Sequence, residues 1–391
     1  MTEKIHVPSG VAALRDALIR EGFRACPVGG CVRDSLLGRT PEDWDICTSA
    51  RPERILALFP GSVSTGGAYG TVTVSTDSGP VEVTPFRREG SYADGRHPDR
   101  VSFEASLEED LARRDFTVNA MALDEKGNIV DLFGGRADLE RGLIRCVGNP
   151  EARFQEDALR MFRGVRFAAQ LGFDLEGETA QAIRRCAPLA ARLAPERVGQ
   201  EVERALLSPR PGLAGGFFQL GLMPGLAARW PEGASALAGL PAKRLLRWAG
   251  LCACLMENGM IRESAPFLSG LRLEGKLVRA CAGGEALWRS GLPREGRQWR
   301  HALARWGAAA CQAAAAMGGG EALSLLDRTL AARPCIRVRD LALSGGDLAA
   351  LGLSGPGIGL AQRALLERVL DRPEDNNRET LRQFLAETGH I

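Results

Sequence analysis

The stretch Ala25–Ser49, ACPVGGCVRDSLLGRTPEDWDICTS, constrains this chain more than any other part of it. It reads as a short apolar strand, a Gly-Gly turn, a short helix and a second strand. Gly29 and Gly30 leave the backbone bare where the chain turns into a helix starting near Cys31. Unpaired N–H groups there, with the positive end of the helix dipole, make a seat for phosphate oxygens. Arg33 falls in the first turn and adds a charge-assisted contact to the same anion. Asp43 and Asp45 then flank Trp44. Strand side chains alternate, so the two carboxylates share one face, about 7 Å apart along the chain. Two hard oxygen ligands beside a phosphate seat suit Mg²⁺ and a nucleoside triphosphate. A Gly-Gly turn or an Asp-x-Asp alone is most often ordinary structure. Their combination, with Arg33 and Asp34 between them, points to chemistry.

The surroundings fit a small mixed domain. Spacing over 10–21 predicts a helix closed by Gly22, and Pro52–Leu58 predicts a short helix stopped by Pro60. Alternating runs at 70–76 and 81–87 read as strands. In the second run Glu82 and Thr84 point opposite to Val81 and Val83, leaving Glu82 a lone carboxylate on an otherwise apolar strand. Residues 88–105 are polar, rich in both charges and broken by Gly and Pro, as long functional loops are. In the stretch 107–123 a helix rich in acids at its start ends in the pair Arg113–Arg114, then Asp115.

Strands and short helices mix only up to about residue 147, and the rest reads as helix. The fold class is therefore an α+β head followed by all-α segments. At 391 residues the chain exceeds one ordinary core, so several domains are expected. We place them at 1–147 (head), 148–208 (neck), 209–290 (body) and 291–391 (tail). A continuous helix is predicted from Asn149, with Asp157, Arg160, Arg163 and Arg166 three residues apart on its polar side. Further helices are expected over 178–207, 212–229, 242–258, 265–281, 297–333 and 345–387, broken at Pro and Gly. The Ala/Gly run 306–320 reads as a helix with a frayed end and no evident role. Over 288–306, Trp288, Trp299 and Trp306 read as helix core. The five arginines among them suit either solvent or an RNA backbone.

A net charge of +2 excludes a globally basic nucleic-acid binder, so RNA contact must come from local patches. The ten cysteines lack metal spacing, and the Cys252–Cys254 pair sits in an apolar run. No leader follows the first residues, and no run approaches the roughly 20 apolar residues of a membrane span. The reduced cytoplasm is the expected compartment. None of the histidines, His6, His97, His301 and His390, is followed by Asp, so no His-Asp phosphohydrolase domain is present.

GGCVRDSLLGR followed by DWDI resembles the catalytic signature of the class II tRNA nucleotidyltransferases, the superfamily of bacterial CCA-adding enzymes and bacterial poly(A) polymerases. RRDFT-x-NA at 113–120, DLFGG at 131–135, E-D-x-x-R at 156–160 and ERVGQEVERALLS at 196–208 extend the resemblance. The segment 345–370 resembles the C-terminal region of the CCA-adding branch more loosely. The resemblance implies two Mg²⁺ at Asp43 and Asp45, with Glu82 a third catalytic carboxylate near them. It implies nucleotide binding by Gly29, Gly30, Arg33, Arg114, Asp115 and Asn119, with Arg114 on the triphosphate and Asp115 accepting from a ribose hydroxyl. DLFGG would be the hinge of the head. Tyr92, Asp94 and Arg96 match a loop associated with the switch from adding C to adding A.

Asp157 and Arg160 fall on the family's nucleotide-selecting motif, with Arg163 and Arg166 further along the same stripe. The pair has a chemical logic. Cytosine and adenine both show an amino donor beside a ring-nitrogen acceptor, which a carboxylate and a guanidinium complement. Uracil and guanine put a carbonyl and an N–H there, and both contacts turn repulsive. The expected activity is addition and repair of the tRNA 3′-terminal CCA from CTP and ATP without a nucleic-acid template. The expected partners are the tRNA 3′ end and the two nucleotides. No membrane and no protein partner is expected, and pairing of two copies is left open. A poly(A) polymerase, or an enzyme adding only A or only CC, is the rival within the superfamily. A non-catalytic RNA-binding protein on the same scaffold is the rival outside it.

Overall fold

The computed structural model describes residues 5–65, 70–89, 101–103 and 105–391. Tyr92, Asp94 and Arg96 lie outside the described residues. The chain forms two compact units. One comprises Met1–Ala205 and Leu213–Trp230, the other Leu206–Gly212 and Pro231–Ile391.

The first unit opens with α1 (Ser9–Arg20), which buries Val11, Leu14 and Leu18 along one stripe. The strands β1 (Ala25–Pro27), β2 (Trp44–Thr48), β3 (Val63–Ser64), β4 (Val72–Thr76) and β5 (Gly79–Pro85) form one sheet in the order β1-β2-β5-β4-β3. Only the β2–β5 pair is parallel. The helices α2 (Gly30–Leu36) and α3 (Pro52–Leu58) stand between strands, as the sequence predicts. Ile46, Val72, Val81 and Val83 are fully or almost fully buried in the core beneath the sheet. Their burial sets the register, because a one-residue slip would turn every apolar side chain to the other face. In that register Asp45 lies opposite Glu82.

Two short strands, β6 (Arg88–Glu89) and β7 (Val101–Ser102), pair antiparallel. Next comes α4 (Leu107–Ala112), held at its start by a Ser106–Glu109 capping box. The pair β8 (Met121–Leu123) and β9 (Ile129–Asp131) leads to α5 (Gly135–Arg141) and β10 (Leu143–Ile144). Both carboxylate oxygens of Asp131 cap α5, accepting from the Gly135 and Arg136 N–H groups at 2.8 and 2.9 Å.

Beyond residue 149 the structure corrects the sequence reading. The predicted continuous helix is two, α6 (Pro150–Glu156) and α7 (Leu159–Leu171). They are separated at Asp157, whose backbone is extended (φ −142°, ψ 105°). Asp157 Oδ1 accepts the Leu159 N–H at 2.9 Å and so starts the second helix. An Asp side chain that can bond the backbone locally favours a cap over a helix interior. Next come β11 (Asp174–Leu175), paired with β10, then α8 (Gly177–Cys186) and α9 (Pro195–Leu206). The helix expected over 212–229 shrinks to α10 (Gly216–Gln219) between turns, since the chain there carries Gly212, Gly215, Gly221, Pro224 and Gly225.

The second unit is helical: α11 (Arg244–Glu257), α12 (Ser264–Gly270), α13 (Gly275–Ser290), α14 (Gly296–Gly318), α15 (Gly320–Ala331), α16 (Gly345–Ala350), α17 (Pro356–Asp371) and α18 (Arg378–Glu387). Cys252 and Cys254 are core residues of α11. The Ala/Gly run of α14 is core and not a frayed end: Ala310, Cys311 and Ala313–Ala316 are buried. A Cβ on Gly284 of α13 would stand 2.5 Å from Ala313 Cβ, so the small residues are what let the two helices approach. Trp299 is fully buried. Arg297 pairs with Asp371 at 2.7 Å, and Arg300 donates to the Leu370 carbonyl at 2.6 Å. Two of the five arginines of 288–306 thus tie α14 to α17. Among the described residues no helix is long and apolar enough to cross a membrane.

Candidate active site

The Gly-Gly turn is wedged between two strands. The Val28 N–H donates to the Asp45 carbonyl at 3.0 Å, and the Gly29 N–H to the Met121 carbonyl at 3.0 Å. The Gly29 N–H is therefore paired, not open to a phosphate as the sequence reading holds. By helix geometry the N–H groups that lack a partner one turn earlier begin at Gly30. Gly29 has φ +84°, and a Cβ there would stand 2.9 Å from Arg114 Nη1. Both the backbone and the neighbouring guanidinium require glycine at this position. The Cys31 thiol donates to the Val28 carbonyl at 3.4 Å and packs the start of α2 onto the turn.

Asp43 is exposed just before β2, and Asp45 is half-buried one residue into it, beyond the buried Trp44. Burial is the main force raising the Asp45 carboxyl. The Arg114 charge opposes it, and Glu82 and Asp43 add to it, leaving the group at about 6. Glu82, exposed on β5, thus sits where the register predicts, next to Asp45. Among the described residues no three His, Cys, Asp or Glu side chains form a ready metal cage. Mg²⁺ is usually taken by one or two carboxylates with the substrate's phosphates, so the Asp43–Asp45 pair fits it. The carboxylates crowd one another and, among the described residues, Arg114 opposes them, a charge balance that a cation would complete.

Arg114 lies under the turn. It donates to Asp110 Oδ2 at 3.3 Å, and its Nε is buried with no partner. Burial alone would raise the fully buried Asp110 carboxyl, but Arg114 and Arg113 outweigh it and hold it below the usual range. Asp110 was not singled out from the sequence, although its i, i+3 and i, i+4 spacing to the two arginines is a readable signal.

A chain of polar contacts then crosses the unit. Arg33 makes two contacts with Asp34, at 2.9 and 2.8 Å, and donates to Asn119 Oδ1 at 2.5 Å. Asn119 Nδ2 donates to Asp115 Oδ1 at 3.3 Å, and Arg163 Nε to Asp115 Oδ2 at 2.6 Å. Burial pushes Asp115 up, but the Arg163 charge and hydrogen bonds, with Arg160 and Asn119, bring it down to about 2. The sequence reading has Arg33 facing an anion and Asp115 facing a ribose. Here both are engaged by protein groups.

The arginine stripe is paired along its length. Arg160 is buried and donates to Glu156 Oε2 at 2.5 Å, to the Arg153 carbonyl at 3.2 Å and to the Arg113 carbonyl at 3.1 Å. Arg166 is buried and donates to the buried Glu201 at 2.6 Å. Arg197 of α9 stands 3.8 Å from Asp157 Oδ2. Glu156 is legible as an i, i+4 partner of Arg160. Glu201 is 35 residues from its partner, and no local pattern announces it.

A mixed sheet with two aspartates at the start of one strand beside a glycine turn, followed by an arginine-bearing helix, defines a nucleotidyltransferase of the poly(A) polymerase-head class. The family described as "Poly A polymerase head domain" matches residues 26–145, and that described as "Probable RNA and SrmB- binding site of polymerase A" matches 172–226. The CCA-adding enzyme of Limosilactobacillus fermentum is 39% identical over 392 residues, covering 94% of this chain and 93% of that one. That of Geobacillus thermodenitrificans is 47% identical over 272 residues, and the match spans 67% of this chain and 65% of that relative. The crystal structure of the Bacillus stearothermophilus CCA-adding enzyme in complex with CTP is similar at a TM-score of 0.80 and 37% identity, covering 100% of this chain and 98% of that chain. The chain belongs to the CCA-adding enzyme family.

Proposed function

We propose that this protein adds and repairs the 3′-terminal CCA of tRNA from CTP and ATP. The observation that carries the reading is the Asp43–Asp45 pair at the start of β2, crowded by Glu82 and set against the Gly29–Gly30 turn. Family membership supports it, and a relative solved with CTP speaks for one of the two nucleotides.

In this reading the 3′-hydroxyl oxygen of the RNA attacks the α-phosphorus in line, and pyrophosphate leaves. Two Mg²⁺ held by Asp43 and Asp45 would lower the pKa of that hydroxyl and neutralise the triphosphate. Glu82 keeps the local field negative, which favours dication binding. Arg33 and Arg114 flank the turn as phosphate partners, and Asp115 and Asn119 hold Arg33 and Arg163 in place. Asp157 accepts from the exocyclic amino group of cytosine or adenine, and Arg160 donates to the adjacent ring nitrogen. For that contact Arg160 exchanges its bond to Glu156 for one to the base. Arg163 and Arg166 lie further along, toward the phosphates or the neighbouring nucleotide. The helical tail, 291–391, would hold the body of the tRNA.

Primer extension on tRNA lacking its 3′ end, with each nucleotide offered singly and in pairs, tests the assignment. CTP alone should extend the end by two residues, ATP alone should add nothing to that end, and the two together should complete CCA. A run of A from ATP alone would make the protein a poly(A) polymerase.

A further inference from the structure

Phe167 lies on α7, is 7% exposed, and packs edge to face against Phe116 with ring centroids 5.9 Å apart. Three guanidinium groups approach its ring. Arg166 stands 4.0 Å from the centroid, Arg163 5.4 Å and Arg33 5.5 Å. All three fall within the roughly 6 Å over which a cation is drawn to an aromatic face. Arg163 and Arg166 share a helix with Phe167, whereas Arg33 comes from α2. Each has a carboxylate of its own: Asp34 for Arg33, Asp115 for Arg163 and Glu201 for Arg166. Three ion pairs from separate elements therefore meet on one ring.

That arrangement needs a reason. Three cations this close repel one another, and the polar link between Arg33 and Arg163 is indirect, running through Asn119 and Asp115. A leucine would fill part of the same volume with apolar surface, but it has no quadrupole to attract a cation. The ring is the one contact that all three guanidiniums share.

We propose that Phe167 is a positioning residue for nucleotidyl transfer, its ring fixing Arg33 and Arg163 relative to each other where the head sheet meets the selecting helix. The inference rests on the proposed function, in which these arginines bind the nucleotide. Phe167 acts through them and touches no substrate.

The test replaces Phe167 in the full chain with 4-fluoro-, 3,5-difluoro- and 3,4,5-trifluorophenylalanine, which nearly keep the shape while draining the ring's negative face. KM for CTP and for ATP should rise in steps with the number of fluorines, reaching about tenfold at three. The value of kcat and the melting temperature should stay nearly constant. Hydrogen exchange at the Arg163 and Arg166 Nε–H groups, followed by NMR without nucleotide, should quicken in the same steps. A KM that is flat across the series, or that moves only with the melting temperature, overturns the inference. If the unsubstituted protein transfers neither CTP nor ATP, the proposed function falls instead. The exchange rates then decide the positioning role alone, and unchanged rates overturn it.

Discussion

The β2 carboxylates and the α7 arginines manage charge in opposite ways. Burial lifts the Asp45 carboxyl to about 6, with Glu82 and Asp43 adding to the rise and, among the described residues, Arg114 opposing it. On α7 the guanidiniums of Arg160, Arg163 and Arg166 are each closed by a carboxylate of this chain: Glu156, Asp115 and Glu201. The first region is left short of positive charge, and a cation can only gain there. The second is balanced, so a nucleotide must exchange partners to bind. In the proposed reading the strand site would supply affinity for dications, and the helix would supply discrimination. An exchange of bonds is favourable only when the incoming group matches the outgoing one in donors and acceptors.

The largest effect expected from this contrast is at the strand. Asp43→Ala or Asp45→Ala should lower transfer on the order of 10³-fold or more while leaving tRNA binding nearly intact. Substantial Mg²⁺-dependent activity in either variant would break the assignment.

Arg166→Ala sharpens the other side. It removes the 2.6 Å partner of Glu201, which is 4% exposed, and leaves it the longer contact to Arg204 at 3.9 Å. Breaking a buried pair from one side costs about 3–5 kcal/mol. The melting temperature should drop sharply for Arg166→Ala and less for Arg163→Ala, because the buried Asp115 keeps the Phe116 N–H and Asn119 Nδ2 as donors at 2.9 and 3.3 Å. Equal losses would mean that the stripe is paired no more tightly at one end than at the other.

How far these two regions are legible in the sequence follows from the same contrast. The strand site is nearly all local: Asp43, Trp44 and Asp45 alternate, Glu82 stands out against Val81 and Val83, and the glycines adjoin. The sheet then needs only to bring β5 beside β2 in register. The helix site is not local. Its partners Asp115 and Glu201 are 48 and 35 residues from the arginines they hold, beyond the reach of any i, i+4 rule. The break at Asp157 was hidden because the flanking residues are good helix formers, and a single side-chain bond to the Leu159 N–H decides it. The small-residue run of α14 reads as featureless from sequence, since its role exists only once Gly284 of α13 lies against it.

A smaller effect tests the crowding itself. The folded Asp45 carboxyl titrates at about 6, above its ordinary value of 3.8. With the folded value raised, the cost to folding builds as the pH rises from about 3.8 to about 6 and is fully present above 6. Below about 3.8 both states are protonated and the cost vanishes. Asp45→Asn should therefore stabilise the metal-free protein above pH 6, on the order of 2 kcal/mol, with no gain near pH 3.5. Melting curves across this range check it. Mg²⁺ should raise the melting temperature of the unsubstituted protein and not of the variant.

The most direct measurement is the incorporation efficiency of all four nucleotides by Asp157→Ala beside the unsubstituted protein. Losing the carboxylate removes the repulsion toward the uracil carbonyl and one charge-assisted hydrogen bond, worth about 1.5–3 kcal/mol. UTP should gain on CTP by about one to two powers of ten. The ratio is unaffected by the lost α7 cap, which slows every nucleotide alike. An Asp157→Ala protein that is uniformly slow, with its preference for C and A over U and G intact, would contradict the account.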